Sequence, residues 1–131
     1  MKNPDNKTKV LAEIKLLKYV DLIEGNPCHI ATVNSGNNPN LSVASDIKVL
    51  DDETILISNN EMINTPDNII YNNCVVLTSF SEKWAGVRIT GTASYHTNGE
   101  YFEICNKYFN NETATPKGAI VIKVTRVEGI A

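Results

Sequence analysis

The stretch His29-Ile30-Ala31-Thr32-Val33, Ser35-Gly36-Asn37-Asn38-Pro39, Leu41-Ser42-Val43-Ala44-Ser45-Asp46-Ile47-Lys48-Val49-Leu50, Asp51-Asp52-Glu53, Thr54-Ile55-Leu56-Ile57-Ser58 decides the fold. Its β-branched runs are separated by short clusters of turn-forming residues, which is the pattern of strands joined by tight connections. Strands joined by so few residues must run antiparallel. The run Leu41–Leu50 alternates polar and apolar residues for much of its length, as a strand with one wet face does. Three such strands in succession form a meander.

Upstream, Val10-Leu11, Ile14, Leu16-Leu17 and Val20 recur at helical spacing, with Asn3-Pro4-Asp5 as start signals and Gly25-Asn26-Pro27 as the stop. This predicts a helix from Pro4 or Asp5 to Glu24 with its apolar stripe on the core. Downstream, Thr65 can cap a short helix, with Pro66 in its first position and Asp67 suited to the positive helix end. Strands follow at Cys74–Phe80 and Gly86–His96, then helical offsets over Glu100–Phe109, a polar loop from Asn110 to Gly118, and a last strand over Ala119–Val127. Gly86 and Gly91 lie within a strand, where glycine marks a bend, a bulge or a close approach. The expected architecture is mainly β: six antiparallel strands curled into a closed or split barrel, with an N-terminal helix and two further short helices, in a single domain over residues 1–131.

The chain has 131 residues, 12 basic and 15 acidic side chains and a formal charge of -3. One globular domain of this size buries enough surface to need no disulfide or structural metal. The mild acidity, with no two basic residues adjacent, argues against a nucleic-acid partner. Cys28, Cys74 and Cys105 are odd in number, far apart and without CxxC spacing, so reduced thiols and no zinc site are expected. No 18-residue apolar run occurs, so a cytoplasmic protein with no membrane partner is expected. His29 and His96 are read as structural residues, and no metal site is expected.

No nucleophile elbow, Walker loop, dinucleotide fingerprint or HExxH pattern is present. The most unusual segment is Ser58-Asn59-Asn60-Glu61-Met62-Ile63-Asn64-Thr65-Pro66, which ends a strand, is rich in amides and hydroxyls, and runs into a helix N-terminus. Free N–H groups there suit an anionic phosphate, and Arg88 offers a full positive charge. A simple helix cap accounts equally for Thr65, and a surface strand position accounts for Arg88. Trp84, in a loop, suits either stacking on a planar ring or packing across a subunit interface.

Several strings, taken with their order, resemble a family: Ile30-Ala31-Thr32-Val33 with Pro39-Asn40-Leu41, Asn64-Thr65 with Asn68-Ile69, Val75-Val76-Leu77, and Gly86-Val87-Arg88-Ile89-Thr90-Gly91-Thr92-Ala93. They are similar to the pyridoxamine 5'-phosphate oxidase-like FMN-binding split-barrel family, over about Leu17 to Val127. The likeness is to its small single-domain FMN-binding proteins, since the chain ends at Ala131 without the C-terminal region of the full oxidase, and oxidation of pyridoxamine phosphate is not expected. The resemblance implies a homodimer of six-stranded antiparallel split β-barrels of Greek-key type, binding two FMN molecules in grooves at the subunit interface. It places Val43, Ala44, Ser45 and Asp46 along the flavin ring, and Ser58, Asn59, Asn60, Met62, Asn64 and Thr65 on the ribityl chain and phosphate. Arg88 stands where some relatives reach the phosphate, and Trp84 is a contact from the partner subunit.

Relatives commonly carry Lys immediately before the Thr, whereas this chain has Asn64. Losing that ammonium costs about 1 to 3 kcal/mol, or roughly 5- to 150-fold in affinity, unless Arg88 compensates. The implied activity is that of an FMN-dependent oxidoreductase or electron carrier between NADH or NADPH and a small-molecule or protein acceptor. The alternative is a flavin-free ligand-binding or sensing module on the same barrel, for a phosphate-bearing or planar ligand such as haem.

Overall fold

The computed structural model describes residues 16–130. Residues 16–18 are helical, and after a turn at Tyr19 the helix α1 follows (Val20–Gly25). Residues 4–15 of the predicted N-terminal helix lie outside the described residues. Leu16 and Ile23 are buried, as the apolar stripe requires, and α1 stops at Gly25 before Asn26 and Pro27.

Seven strand segments follow: β1 (Cys28–Val33), β2 (Pro39–Ala44), β3 (Ile47–Asp51), β4 (Thr54–Asn59), β5 (Cys74–Phe80), β6 (Gly86–His96) and β7 (Gly118–Ile130). Between them lie the helices α2 (Asn64–Tyr71) and α3 (Glu100–Phe109). The bounds of β5, β6 and α3 are those read from the sequence, and the mainly antiparallel split barrel stands. One expectation is corrected. Leu41–Leu50 is not a single strand: it breaks at Ser45-Asp46 into β2, which pairs only with β1, and β3, which pairs only with β4.

The break closes the barrel. The strand order is β2-β1-β5-β6-β7-β4-β3, so β2 and β3 are opposite edges of one sheet, yet only two residues separate them in the chain. From Ala44 to Ile47 the backbone can span at most about 11 Å, so the sheet must curl until its edges meet. A backbone bond from Ser58 N–H to Asp46 O (2.9 Å) ties this corner to β4.

The interior is filled by side chains alternating inward from each strand, among them Ile30, Ile55, Ile57, Leu77, Ile89, Ile120 and Ile122, all fully buried. Each contributes about 1.5 to 3 kcal/mol by leaving water. A smaller cluster lies outside the barrel wall, where α3 lays Tyr101, Ile104 and Cys105 on Leu56, Ala119 and Val121. That second layer explains why β4 is buried on both faces and carries the apolar run Ile55-Leu56-Ile57 without alternation.

Gly91 stands at a register shift in the β6–β7 ladder, and a β-carbon there would overlap the Lys123 carbonyl and come within 2.9 Å of Ile122 Cγ2. The predicted bulge is therefore a place where two backbones meet. α2 begins at Asn64 after Ile63, with no side-chain cap, so the expected capping role of Thr65 is also corrected: Thr65 is inside the helix and fully buried.

Burial pushes the Cys28 thiol up to about 11 and raises that of Cys105, whereas Cys74 is exposed. Two outcomes follow. Gly91→Ala should lower the unfolding free energy by about 1 to 3 kcal/mol, read from urea denaturation, because neither backbone can retreat. One thiol per folded chain should react with Ellman's reagent at pH 8, and all three after unfolding.

Candidate functional site

A cleft of about 590 Å³ opens where the broken strand turns from one sheet edge to the other. Its walls are Asn40, Ser42, Val43 and Ala44 of β2, the corner Ser45-Asp46, Ser58 at the end of β4, the connection Asn60–Ile63, Asn64 of α2, and the loop residues Thr113, Ala114 and Thr115. Volume and position suit a small-molecule site.

The floor is a chain of hydrogen bonds. Ser58 donates its hydroxyl to Asn60 Oδ1 (2.8 Å), and Asn60 donates Nδ2–H to Asp46 Oδ2 (2.9 Å). These bonds hold the β4 end, the connection and the corner in fixed relation. On the opposite wall the Ser42 and Thr65 hydroxyls share a 2.7 Å bond, and Asn40 Nδ2 approaches both at 3.4 Å. Thr65 thus pins the start of α2 to β2, which is why its hydroxyl is not free to cap the helix.

Asn59 shapes the connection from behind. It is 2% exposed, accepts the Met62 N–H (2.7 Å), and donates Nδ2–H to Met62 O (3.2 Å) and Tyr95 Oη (2.8 Å). Tyr95 can lie there because Gly118, opposite it, has no β-carbon to meet its ring. Asn59 O also accepts the Lys117 N–H (2.7 Å), drawing the 113–115 loop to the rim. Asn111 folds that loop by accepting from Thr113 N–H and Oγ1–H, both at 2.8 Å.

Of the twelve residues named from the sequence, Val43, Ala44, Ser45, Asp46, Ser58, Asn60, Met62 and Asn64 come together in the cleft. Asn59 and Thr65 stand behind its walls. Arg88 and Trp84 are elsewhere. Arg88 lies on the outer face of β6, where its guanidinium donates through Nε and Nη2 to the two Glu128 oxygens, each at 3.2 Å. That contact holds the Glu128 carboxyl below its usual range. Arg126 Nη2 is 3.3 Å from the same carboxylate. Trp84 is 74% exposed in the β5–β6 loop, edge-on to Phe80, with a left-handed φ of 64° that is uncommon for a bulky residue.

The cleft also recruits Asn40, Ser42 and Thr113–Thr115, which sequence reading missed, and Glu61 and Ile63, which lie in the segment it singled out but were not named as contacts. Asn40 and Ser42 had a legible signal, since they share the β2 alternation with Ala44. The 113–115 segment had none. The histidines take no part: His29 is exposed on β1, and His96 Nε2 shares a 2.7 Å bond with Ser94 Oγ beside the Tyr101 ring. Among the described residues no group of His, Cys, Asp or Glu is arranged to hold a metal, and no helix is long and apolar enough to cross a membrane.

Comparison with known proteins places this geometry. HupZ of Group A Streptococcus superposes with a TM-score of 0.81 at 27% identity, covering 87% of this chain and 92% of that one. An FMN-binding protein from Syntrophomonas wolfei superposes at 0.80 with 20% identity, covering 96% and 92%, and shares the fold. An uncharacterized protein of Methanocaldococcus jannaschii is 37% identical over 114 residues, which is 84% of this chain and 76% of that protein. The pyridoxamine 5'-phosphate oxidase profile matches residues 18–131, the whole barrel, and the chain belongs to that family.

Proposed function

We propose that the protein holds FMN non-covalently in the cleft at the strand break and works as an oxidoreductase or electron carrier. The observation that carries this reading is the lining: hydroxyls and amides from β2, β4 and the connection converge on one slot, at the point where an extended strand edge lies open beside them. Flavin, when bound, supplies the redox chemistry. The protein supplies shape, hydrogen bonds and exclusion of water. Val43, Ala44 and Ser45 form the extended edge on which a planar ring would lie. Ser58, Asn60 and Asn64 line the side that suits a polyol chain, and Ser58 and Asn60 are held in place through Asp46. Electrons are taken to come from NADH or NADPH and to pass to a small-molecule or protein acceptor in the cytoplasm.

Dimerisation belongs to the same proposal. Leu41 and Val43 project from the outer face of the edge strand β2 at 66% and 59% exposure, beside the cleft mouth. Exposed apolar residues on an edge strand favour a covering partner, and a second copy of this chain is that partner. A second reading, a flavin-free binding or sensing module, is favoured by one observation. Among the described residues no lysine or arginine lines the cleft.

The purified protein, incubated with FMN and passed through a sizing column, should carry the two-banded flavin spectrum at the elution volume of a dimer; a colourless protein that gains no flavin overturns the proposal. Trp84 is the chain's one tryptophan, so its emission should be quenched on FMN addition if a partner's Trp84 reaches the cleft. Asn59→Ala should lower unfolding free energy by about 1 to 3 kcal/mol, since the half-buried Met62 N–H and Tyr95 Oη lose their buried partner. Asn60→Ala should weaken FMN binding more than it weakens the fold, as separate titration and denaturation curves would record.

A further inference from the structure

We infer that the folded protein carries a self-modification site at Asn98-Gly99, where the Gly99 backbone nitrogen displaces ammonia from the Asn98 side chain and water opens the resulting ring to aspartate or isoaspartate. The inference is independent of what the cleft binds.

Three observations meet at this bond. Of the chain's asparagines only Asn34 and Asn98 are followed by serine or glycine, so only there is the next backbone nitrogen little shielded from the side-chain amide. Asn98 and Gly99 are both exposed, in the bend between β6 and α3. Among the described residues nothing bonds the Asn98 amide or the Gly99 N–H, and no atom lies within 4 Å of where a Gly99 β-carbon would stand. Amide and nucleophile are thus both unengaged, which is the state in which asparagine is labile.

Asn34 differs in this respect. Its Oδ1 accepts the N–H groups of Gly36 (2.8 Å) and Asn38 (3.0 Å), which fix its side chain in the turn before β2. The fold therefore holds one of the two amides and leaves the other free to rotate.

The glycine is required where it stands. Gly99 has φ 87° and ψ -170°, a region that essentially only glycine enters. From there its carbonyl accepts the Glu103 N–H (3.0 Å) in the first turn of α3. Asn98 has no comparable duty.

The step needs water and nothing else. Hydroxide removes the Gly99 amide proton, the nitrogen bonds to Asn98 Cγ, and the Cγ–Nδ2 bond breaks as Nδ2 takes up a proton and leaves as ammonia. Water then adds to one of the two carbonyls of the ring. Opening at Cγ restores the peptide bond and leaves an aspartate. Opening at the main-chain carbonyl routes the backbone through Cβ and Cγ, one carbon longer than before.

The two products act differently on the fold. An aspartate sets a negative charge beside the start of α3, which has no side-chain cap and favours such a charge. The isoaspartyl form lengthens a connection of only three residues, Thr97 to Gly99. That connection joins a strand paired with β7 as far as His96 to a helix whose Tyr101, Ile104 and Cys105 sit on Leu56, Ala119 and Val121. The start of the helix must shift to absorb the extra carbon, so the isoaspartyl form loosens α3.

The experiment is incubation of the full chain in warm, mildly alkaline buffer, folded and in urea, followed by peptide mapping with mass spectrometry. The folded protein should gain one mass unit and one negative charge at Asn98 alone, as two products separable by chromatography, while Asn34 reacts only in urea. Asn98→Ser removes an amide that bonds nothing among the described residues, so it should fold normally and keep its charge through the same incubation. The isoaspartyl fraction should unfold at a lower urea concentration than fresh protein, and Asn98→Asp should not.

An Asn98 amide that survives in the folded protein while the urea-unfolded chain loses it overturns the inference, because the fold then protects the bond. Conversion of Asn34 as fast as Asn98 in the folded chain overturns it as well. Equal unfolding midpoints for the isoaspartyl fraction and fresh protein overturn the effect assigned to α3.

Discussion

Two residues, Ser45 and Asp46, join strands that lie at opposite edges of the same sheet. Covalent connectivity over so short a span leaves the sheet no choice but to close, because its edges cannot stand farther apart than the linker reaches. The remaining features of the barrel accommodate that closure. The shift at Gly91 lets β7 approach β6 on the far side, and the missing β-carbon at Gly118 leaves room for Tyr95 to brace Asn59. α3 covers the outer face of β4 and β7, where the curved wall would otherwise expose Leu56 and Val121.

The cleft is a by-product of the same constraint. A strand that leaves one edge and joins the other cannot pair with itself through the corner, so backbone and side chains there need other partners. Ser58, Asn60 and Asp46 supply them as a continuous hydrogen-bonded chain, and Ser42 with Thr65 does so on the facing wall. No buried side-chain nitrogen or oxygen among the described residues is left without a partner. A site built in this way is polar, preformed and rich in neutral donors and acceptors.

Much of the fold was legible because local pattern and tertiary role agree. The run at Cys74–Phe80 alternates inward and outward along its whole length and that at Gly86–His96 along most of it, so period and boundary point the same way. Leu41–Leu50 misled because both halves are genuine strands with compatible alternation; nothing local distinguishes a continuous strand from one that bends at Ser45-Asp46 to change partners. Thr65 misled for a related reason. A threonine before proline at a helix start has the chemistry of a cap, and only the arrival of Ser42 from 23 residues earlier claims its hydroxyl.

Most of the strands, the helices α2 and α3, the antiparallel connectivity and much of the cleft segment from Ser58 to Asn64 are readable along the chain, because each depends on periodicity or turn chemistry within a few residues. Which of the described charged residues face the cleft depends instead on how the strands pair. Arg88 is a lone basic residue on a strand when read along the chain, but strand pairing sets Glu128 directly opposite, and the outward half of the β6 alternation carries both away from the site. Thr113–Thr115 become part of the wall through Lys117 and Asn59, residues 58 positions apart whose meeting no local pattern announces. Recognition chemistry was thus set by register across the sheet, a property that no stretch of this chain possesses alone.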